Sequence, residues 1–533
     1  MGIRTPQAML KQWAQEQKDH VFLSQITEDG STIEYTWSEA YQLVQNIASW
    51  LNNQGYEPGS KIAIMSKNCA QWVLSDLAIW EAGMVSVPLY PLLGKSTTQQ
   101  ILQHSQAKAI FIGSLDEPEP MLDAIPTHID RINFDTNPNS NGYDWHTLTK
   151  TPSDKYTDHE QSATNLATII YTSGTTGIPK GVMHNFTTLF EASNGVVEAC
   201  SLTRHERFFS YLPLAHAAER CGVEMNSLLT GGCIYFGHNQ DTFFRDLVQI
   251  KPTVFISVPR LWGKFQQALC QFNSDNPKAA LKSIGLDKVR VAFSGAAPIP
   301  PDTLTWFHKI DFEILEGYGM TEFGGVTHAN LPGKAKIGTV GVTLGNIQHK
   351  ISDAGEVLVK SPSNTPGYYQ DLNKTHELYS ADGFIKTGDK GEIDSDGYLK
   401  ITGRFKEIFK TSKGKYISPA PIENILGAHP QIETCCVIGE GQHQPCAIIT
   451  LSENQEWGEE LRNSMNRLRE KTNRKLDKHE KIQYIVVTQK QWDVDNGFVT
   501  PTLKVKRHVI ENHYSENLNT WEKLKQPVIF YNK

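Results

Sequence analysis

Tyr171-Thr172-Ser173-Gly174-Thr175-Thr176-Gly177-Ile178-Pro179-Lys180-Gly181 decides how this chain is read. Ala167-Thr168-Ile169-Ile170 precedes it, a short apolar, β-branched run that predicts a buried strand. Glycines let a backbone turn its N–H groups inward, and hydroxyls and an ammonium add donors. The loop therefore suits phosphate oxygens. A plain polar connection between two elements is the alternative. The stretch is not a P-loop, which needs Gly, four residues, then Gly-Lys-Ser/Thr; here Lys180 stands between Pro179 and Gly181. Gly94-Lys95-Ser96 has the ending of a P-loop, but Leu89 occupies the place of its first glycine.

The 533 residues are 39% hydrophobic and 20% charged, which predicts a globular protein of more than one domain. A net charge of −7, with no long basic run outside Lys504-Val505-Lys506-Arg507, argues against a nucleic-acid partner. Met1 to His20 is polar and carries no apolar segment of a secretory signal, and no run is long enough to span a membrane. The expected location is cytoplasmic. The eight cysteines lack metal-ligand spacing and are expected to be buried free thiols, with no zinc site.

Strand-like runs alternate with amphipathic stretches from Trp37 to about Gly403. Lys61 to Met65, Val85 to Leu89, Ala109 to Ile112 and Val254 to Val258 read as strands, and Asn68 to Ala82 as a helix. This rhythm predicts mainly parallel, helix-covered sheets. Gly338 to Tyr398 is turn-rich, with hairpin signals at Asp382-Gly383 and Asp396-Gly397. Asp394-Ser395-Asp396-Gly397 fails the ligand spacing of a calcium loop. After Lys406, strands are expected at Cys435 to Ile438, Ala447 to Leu451 and Ile482 to Val487, and a charged helix over about Glu456 to Leu476. A last helix and a short tail with Trp521 close the chain.

Further segments occur in a telling order: Ser294-Gly295-Ala296-Ala297-Pro298, Tyr318-Gly319-Met320-Thr321-Glu322, Lys386-Thr387-Gly388-Asp389, Gly403-Arg404-Phe405-Lys406-Glu407 with Ile417 to Glu423 behind it, and Pro501 to Arg507. Together with the 171–181 loop they resemble the motifs of the adenylate-forming (AMP-binding) superfamily, most nearly in their fatty acyl-CoA synthetase form. The resemblance runs from about Thr36 to Arg507. It implies an α/β fold with two parts. Residues 1–405 would form a large multi-subdomain N-terminal adenylation domain of helix-covered, mainly parallel sheets plus a small β-rich part. Residues 406–533 would form a smaller mobile α+β C-terminal domain, hinged at Lys406.

The resemblance also implies a chemistry: a carboxylic acid attacks the α-phosphate of ATP, giving acyl-AMP and pyrophosphate, and coenzyme A then takes the acyl group. ATP/AMP binding falls to Thr172, Ser173, Gly174, Thr175, Thr176, Gly177, Lys180, Gly295, Ala296, Ala297, Glu316, Gly317, Tyr318, Gly319, Met320, Thr321, Asp389 and Arg404. Tyr318 would stack on adenine and Asp389 would accept both ribose hydroxyls. The catalytic set is Lys504, Thr321, Glu322 and His216. Lys504 bridges carboxylate and α-phosphate (Lys506 is the rival two residues on), Glu322 holds Mg2+, and His216 lies at the acyl carboxylate. Rotation about Lys406 would bring in Lys413, Gly414 and Lys415 for coenzyme A.

Tyr211 to Arg220, Val258 to Trp262 and Gly367-Tyr368-Tyr369 resemble segments of long-chain fatty acyl-CoA synthetases, so a simple fatty acid is the expected substrate. A long-chain substrate would bring peripheral membrane contact. Two departures stand out. Phe323 replaces a small hydroxyl residue and is expected to narrow or reshape the acyl tunnel, and the Phe409 to Ile422 stretch is unlike that of long-chain synthetases. An acyl-AMP ligase loading an acyl carrier protein, a ligase for a non-fatty acid, and a catalytically dead scaffold are the other readings. Intact Lys504, Glu322 and Asp389 argue against the last.

Overall fold

The computed structural model describes residues 2–116, 118–137, 141–152, 161–172, 179–270, 276–452, 455–494, 496–500 and 504–532. Among them, two large sheets dominate. One runs, edge to edge, through Val342–Thr343, Gly325–Ala329, Ile314–Met320, Val291–Ser294, Val254–Ser257, Arg207–Ser210, Cys233–Phe236, Val21–Ile26 and Thr32–Thr36. Its middle is parallel and its two margins antiparallel. The other orders Tyr143–Asp144, Asp130–Asn133, Ala109–Ile112, Lys61–Met65, Val85–Leu89, Leu166–Thr172 and Lys180–Asn185, parallel except for the last pair.

The helix Ala70–Glu81 shows why these sheets belong together. All of its residues are buried, as expected for a helix that is apolar on every side and so must be covered on every side. It shares one core with Ile62 and Ile64 of the second sheet and with Phe22, Phe208 and Ile234 of the first. Beyond the large sheets, Gln348–Ile351, Glu356–Lys360, Ile385–Ile393 and Leu399–Arg404 form an antiparallel sheet. A smaller C-terminal domain holds the hairpin Phe409–Lys410/Tyr416–Ile417 and a sheet of Ile432–Ile438, Cys446–Leu451, Ile485–Thr488 and Val528–Tyr531, backed by Glu459–Arg474 and Arg507–Leu524. The expected α/β class and its large and small domains are present.

The strands expected at 61–65, 85–89 and 109–112 appear with those bounds. At the polar N-terminus Pro6–Glu16 is a helix capped by Thr5, and Val21–Ile26 with Thr32–Thr36 extends the larger sheet. Two expectations are corrected. The expected tail is a strand, Val528–Tyr531, lying parallel to Ile485–Thr488, and Trp521 packs 5.1 Å from the Tyr531 ring. Four residues at a chain end carry no readable period, so pairing decides their state. Of the cysteines, all free, only Cys200, Cys221, Cys436 and Cys446 are buried; Cys270 is exposed and the others are half-buried. No helix among the described residues is long and apolar enough to cross a membrane.

Between the sheets lies a cluster of charge. Arg220, Asp76 and Glu224 are each fully buried. The Arg220 guanidinium pairs with Asp76, donates to Thr168 Oγ1 at 2.6 Å and to Ser86 Oγ at 3.1 Å, and lies over the Trp80 ring at 4.9 Å. Asp76 belongs to the central helix, Ser86 and Thr168 to neighbouring strands of one sheet. Arg220 opens a π-helical turn, Arg220–Met225, that follows a strand of the other. Burial and the neighbouring Asp76 carboxylate push the Glu224 carboxyl well above its ordinary range. The two carboxyls thus share one negative charge opposite the guanidinium. Removing one partner of such a pair strands the other, at a cost of about 3–5 kcal/mol. We expect Arg220→Ala to lower stability by that order in urea unfolding, and Glu224→Gln, which copies the protonated acid, to cost about 1 kcal/mol or less. Equal losses in the two variants would contradict this charge assignment.

Candidate active site

In sheets of parallel strands, ligands meet the loops at the carboxyl ends. Leu166–Thr172 ends at Thr172, where the glycine- and hydroxyl-rich loop begins. Val291–Ser294 leads to Gly295-Ala296-Ala297, Ile314–Met320 ends in the Tyr318 segment, and Arg207–Ser210 leads to His216. Ser173, Gly174, Thr175, Thr176 and Gly177 lie outside the described residues, as do Pro501 to Leu503. Thr172 and Lys180, at the two ends of the loop, pair across adjacent antiparallel strands.

A knot of hydrogen bonds centres on Asp389, which is 3% exposed. Tyr318 Oη donates to its Oδ2 at 2.6 Å, and Arg404 Nε donates to its Oδ1 at 2.6 Å. The strands Ile385–Ile393 and Leu399–Arg404 pair Asp389 directly with Arg404, so the ion pair is written into sheet register. A carboxylate offers about four lone-pair sites, so ribose hydroxyls can join these two donors. Ala296 and Ala297 are exposed, and Ala296 holds the left-handed φ of +66°. A Cβ at Gly295 would meet only the Gly317 carbonyl, at 3.6 Å. That surface is open to a flat group. Gly319 is glycine for a different reason, since a Cβ there would collide with the Gly325 carbonyl. Glu316 is buried, with a carboxyl that accepts from Ile299 N at 3.2 Å and is pushed up to about 7 by burial. It ties the 295–299 loop to its neighbouring strand.

Thr321 and Glu322 sit on a short 3₁₀ turn, Thr321–Phe323. His184, fully buried, donates from Nε2 to the Thr321 carbonyl at 2.7 Å and accepts at Nδ1 from Thr188 Oγ1 at 3.1 Å. Burial holds its pKa down to about 4. His184 was not legible as a site residue, because its role depends on a contact 137 positions away. Glu322 Oε1 accepts from Tyr368 Oη at 2.8 Å. The Phe323 expectation is corrected: its ring is fully buried among Val182, Val357, Tyr368 and Ile385 in the core beneath the small sheet. Gly325, two residues on, approaches the turn after His216: a Cβ there would lie 3.7 Å from Cys221 Cβ and 3.9 Å from Ala217 O.

His216 N-caps the turn Ala217–Glu219, its Nδ1 accepting from Ala218 N at 3.2 Å. Burial and the nearby Lys504 lower its pKa to about 4. The ring is therefore neutral at pH 7 with its proton on Nε2, a donor that adds no charge. Lys504 stands in the field of Arg404, Asp389, Glu407, Glu322 and His216. It keeps its water contact in the cleft, while surrounding protein and then Arg404 hold its pKa below the usual lysine range. Thr500 N donates to Lys504 O at 2.8 Å, and Val499 bridges Val505. Lys506 instead caps the helix Arg507–Leu524.

Lys406 lies on the 3₁₀ turn Phe405–Glu407, between the small antiparallel sheet and the hairpin that follows. Its charge reaches Lys180, whose pKa is lowered by burial and then by Lys406. Lys413, Gly414 and Lys415 form the exposed tip of the hairpin, where Gly414 takes a φ of +75°. None of their hydrogen bonds among the described residues reaches the Asp389 knot.

These residues match known proteins in two ways. The AMP-binding enzyme family matches residues 10–369, and the AMP-binding enzyme C-terminal domain matches residues 406–523. The chain is 27% identical to long-chain-fatty-acid–CoA ligase FadD15 of Mycobacterium bovis, covering 96% of both chains. It is 26% identical to long chain acyl-CoA synthetase 3 of Arabidopsis thaliana, covering 94% of this chain and 89% of that one. Its fold is shared with anthranilate CoA ligase AuaEII, solved with anthranoyl-AMP, at a TM-score of 0.82, 20% identity and coverage of 97% and 98%. It is shared as well with the A domain of carboxylic acid reductase from Segniliparus rugosus, solved with AMP and a carboxylic acid, at a TM-score of 0.82, 20% identity and coverage of 98% and 95%.

Glu219, beside His216, supplies a test of the site's electrostatics. Its Oε1 accepts from Ser210 Oγ at 2.9 Å and Tyr211 N at 3.0 Å, and burial pushes the carboxyl from 4.5 up to about 8. A folded-state value raised in this way gives stability that is complete below 4.5 and lost as pH rises through 8. Between about pH 5 and about pH 9 the melting temperature of the native protein should therefore fall relative to Glu219→Gln. Parallel profiles would show that Glu219 is not held protonated.

Proposed function

This chain belongs to the AMP-binding enzyme family and is an AMP-forming acid–thiol ligase, and we propose that its acid is a fatty acid, activated as acyl-AMP and transferred to coenzyme A. The observation that supports the reading is the Asp389 knot, with Tyr318 and Arg404 on one carboxylate, together with the charge of Lys504 felt by His216. Asp389 and Tyr318 would hold ribose and adenine. Lys504 would draw the acid's carboxylate to the α-phosphate and offset the negative charge that grows there. His216 Nε2–H would bind the acyl oxygen without adding a second cation. The fatty acid rests on the names of the full-length relatives.

Magnesium fits the donors present. Among the described residues no group of three or more His, Cys, Asp or Glu side chains gathers to hold a metal. Glu322 offers one carboxylate with Oε2 free of any described donor. A small hard cation that keeps waters and binds substrate phosphates needs little more. Held there, Mg2+ would neutralise the triphosphate and pyrophosphate.

Lys504 and the hairpin tip cannot both occupy the cleft, so the smaller domain is expected to turn about Lys406 between half-reactions. Lys413, Gly414 and Lys415 would then receive coenzyme A. Eight free cysteines suit a reducing, cytoplasmic setting.

The test is AMP release from ATP over saturated acids from acetate to stearate, with and without coenzyme A. Turnover that needs coenzyme A and peaks at one chain length supports the reading. Bound acyl-AMP indifferent to coenzyme A would favour carrier-protein loading. Lys504→Ala should lose acyl-AMP formation about 10²-fold or more while converting supplied acyl-AMP to thioester. Lys406→Pro should do the reverse, because proline fixes φ at the pivot. A Lys504→Ala variant that loses both half-reactions equally would overturn that lysine's role, and normal thioester formation by Lys406→Pro would overturn the hinge.

A further inference from the structure

Tyr368 lies outside every group assigned above to substrate, yet it joins two of them. It is 7% exposed. Main-chain bonds seat its segment against the strand that leaves the phosphate loop: Tyr369 N donates to Gly181 O at 2.8 Å and Met183 N to Gly367 O at 3.1 Å, with an antiparallel bridge from Val182 to Tyr368. On the other side, Thr365 N donates to Glu322 O at 2.8 Å. One short segment is thus bonded both to the strand of Lys180 and to the turn of Glu322. The side chain repeats the arrangement. Its hydroxyl donates to Glu322 Oε1 at 2.8 Å, and Lys180 Nζ stands 5.0 Å from the centre of its ring.

We propose that Tyr368 is a positioning residue for the phosphate end of the site, its hydroxyl aiming the Glu322 carboxylate and its ring seating the Lys180 ammonium before nucleotide arrives. The proposal rests on the reading of Glu322 as the magnesium carboxylate and Lys180 as a phosphate contact. Its physical logic is competition. Lys180 and Glu322 attract one another, and two flexible chains of opposite charge would close into an ion pair that hides both from a ligand. Among the described residues no ion pair joins them. A neutral donor instead occupies one carboxylate oxygen and the face of an aromatic ring holds the ammonium. Oε2 is left for a metal and Nζ for phosphate oxygens. Burial, with Glu322 beside it, raises the phenol pKa and keeps the hydroxyl a donor. Side chains fixed in advance lose less freedom when ligand binds.

Two substitutions separate hydroxyl from ring, read by calorimetric ATP binding to the full chain as Mg2+ is varied and by the two half-reactions. Tyr368→Phe keeps the ring. It should raise the half-saturating Mg2+ for ATP binding about ten-fold, the loss typical when a carboxylate's orienting partner is removed, and leave metal-free ATP affinity within about two-fold. Tyr368→Leu should add a loss of metal-free ATP affinity, because Lys180 is unseated. Thioester formation from supplied acyl-AMP, which carries no triphosphate, should be unchanged in Tyr368→Phe. A native Mg2+ dependence in Tyr368→Phe, or equal loss of both half-reactions, would overturn the proposal. Glu322→Gln isolates the premise. If it leaves Mg2+ dependence unchanged, the reading of Glu322 fails and the proposal with it; if it shifts that dependence while Tyr368→Phe does not, only the proposal fails.

Discussion

A fully buried guanidinium joins the two large sheets, and the placement of the cleft follows from it. Arg220 follows the turn capped by His216 and reaches Thr168, on the strand that runs into the glycine- and hydroxyl-rich loop, and Asp76, on the helix shared by both sheets. Its donors are directional and its side chain is shut off from solvent, so a lost partner is costly and the spacing of the two sheet edges is held. Acid activation needs a carboxylate and an α-phosphate brought into contact, and that contact is worth little unless the two binding surfaces keep one spacing. The π-helical turn at Arg220 serves the same end, because an added residue per turn redirects a side chain without breaking the helix.

Around this clamp the charges are arranged in opposition and kept from collapsing. Asp389 is held between a phenol and a guanidinium, Glu322 by another phenol, and Lys504 faces both carboxylates from the smaller domain. Burial lowers the pKa of both His216 and His184, so each acts as a neutral ring that carries one N–H and adds no charge. Lys504 lies outside the large sheets. Under the proposed reaction its charge could be withdrawn after the first half-reaction without disturbing the residues proposed to hold nucleotide.

Much of this was legible in the sequence for a simple reason. The strands at 61–65, 85–89 and 109–112 are continuous apolar runs, and the loops after the strands carry glycines, hydroxyls and charges whose order is itself a signal. Residues were missed where the signal is carried by a partner far along the chain. His184 reads as one histidine in a strand until Thr321 is beside it, and Tyr368 reads as one tyrosine of a pair until Glu322 accepts its hydrogen bond. Phe323 was misplaced for the converse reason. Its neighbours in sequence belong to the nucleotide site, but its ring follows the turn into the core under the small sheet.

The sequence by itself determined the class of fold through its alternating strand and helix runs, and the order of its motifs, by resemblance, singled out the expected phosphate loop, Glu322, Asp389 and Lys504. Tertiary structure alone decided which of these meet. The pairing of Asp389 with Arg404 follows sheet register, the field of Lys504 on His216 follows the docking of the smaller domain, and the burial of Arg220 follows the packing of two sheets on one helix. Those relations join segments separated by 15 residues for Asp389 and Arg404, 144 for Asp76 and Arg220 and more for His216 and Lys504, and pairing and packing of that kind leave no periodicity in the sequence.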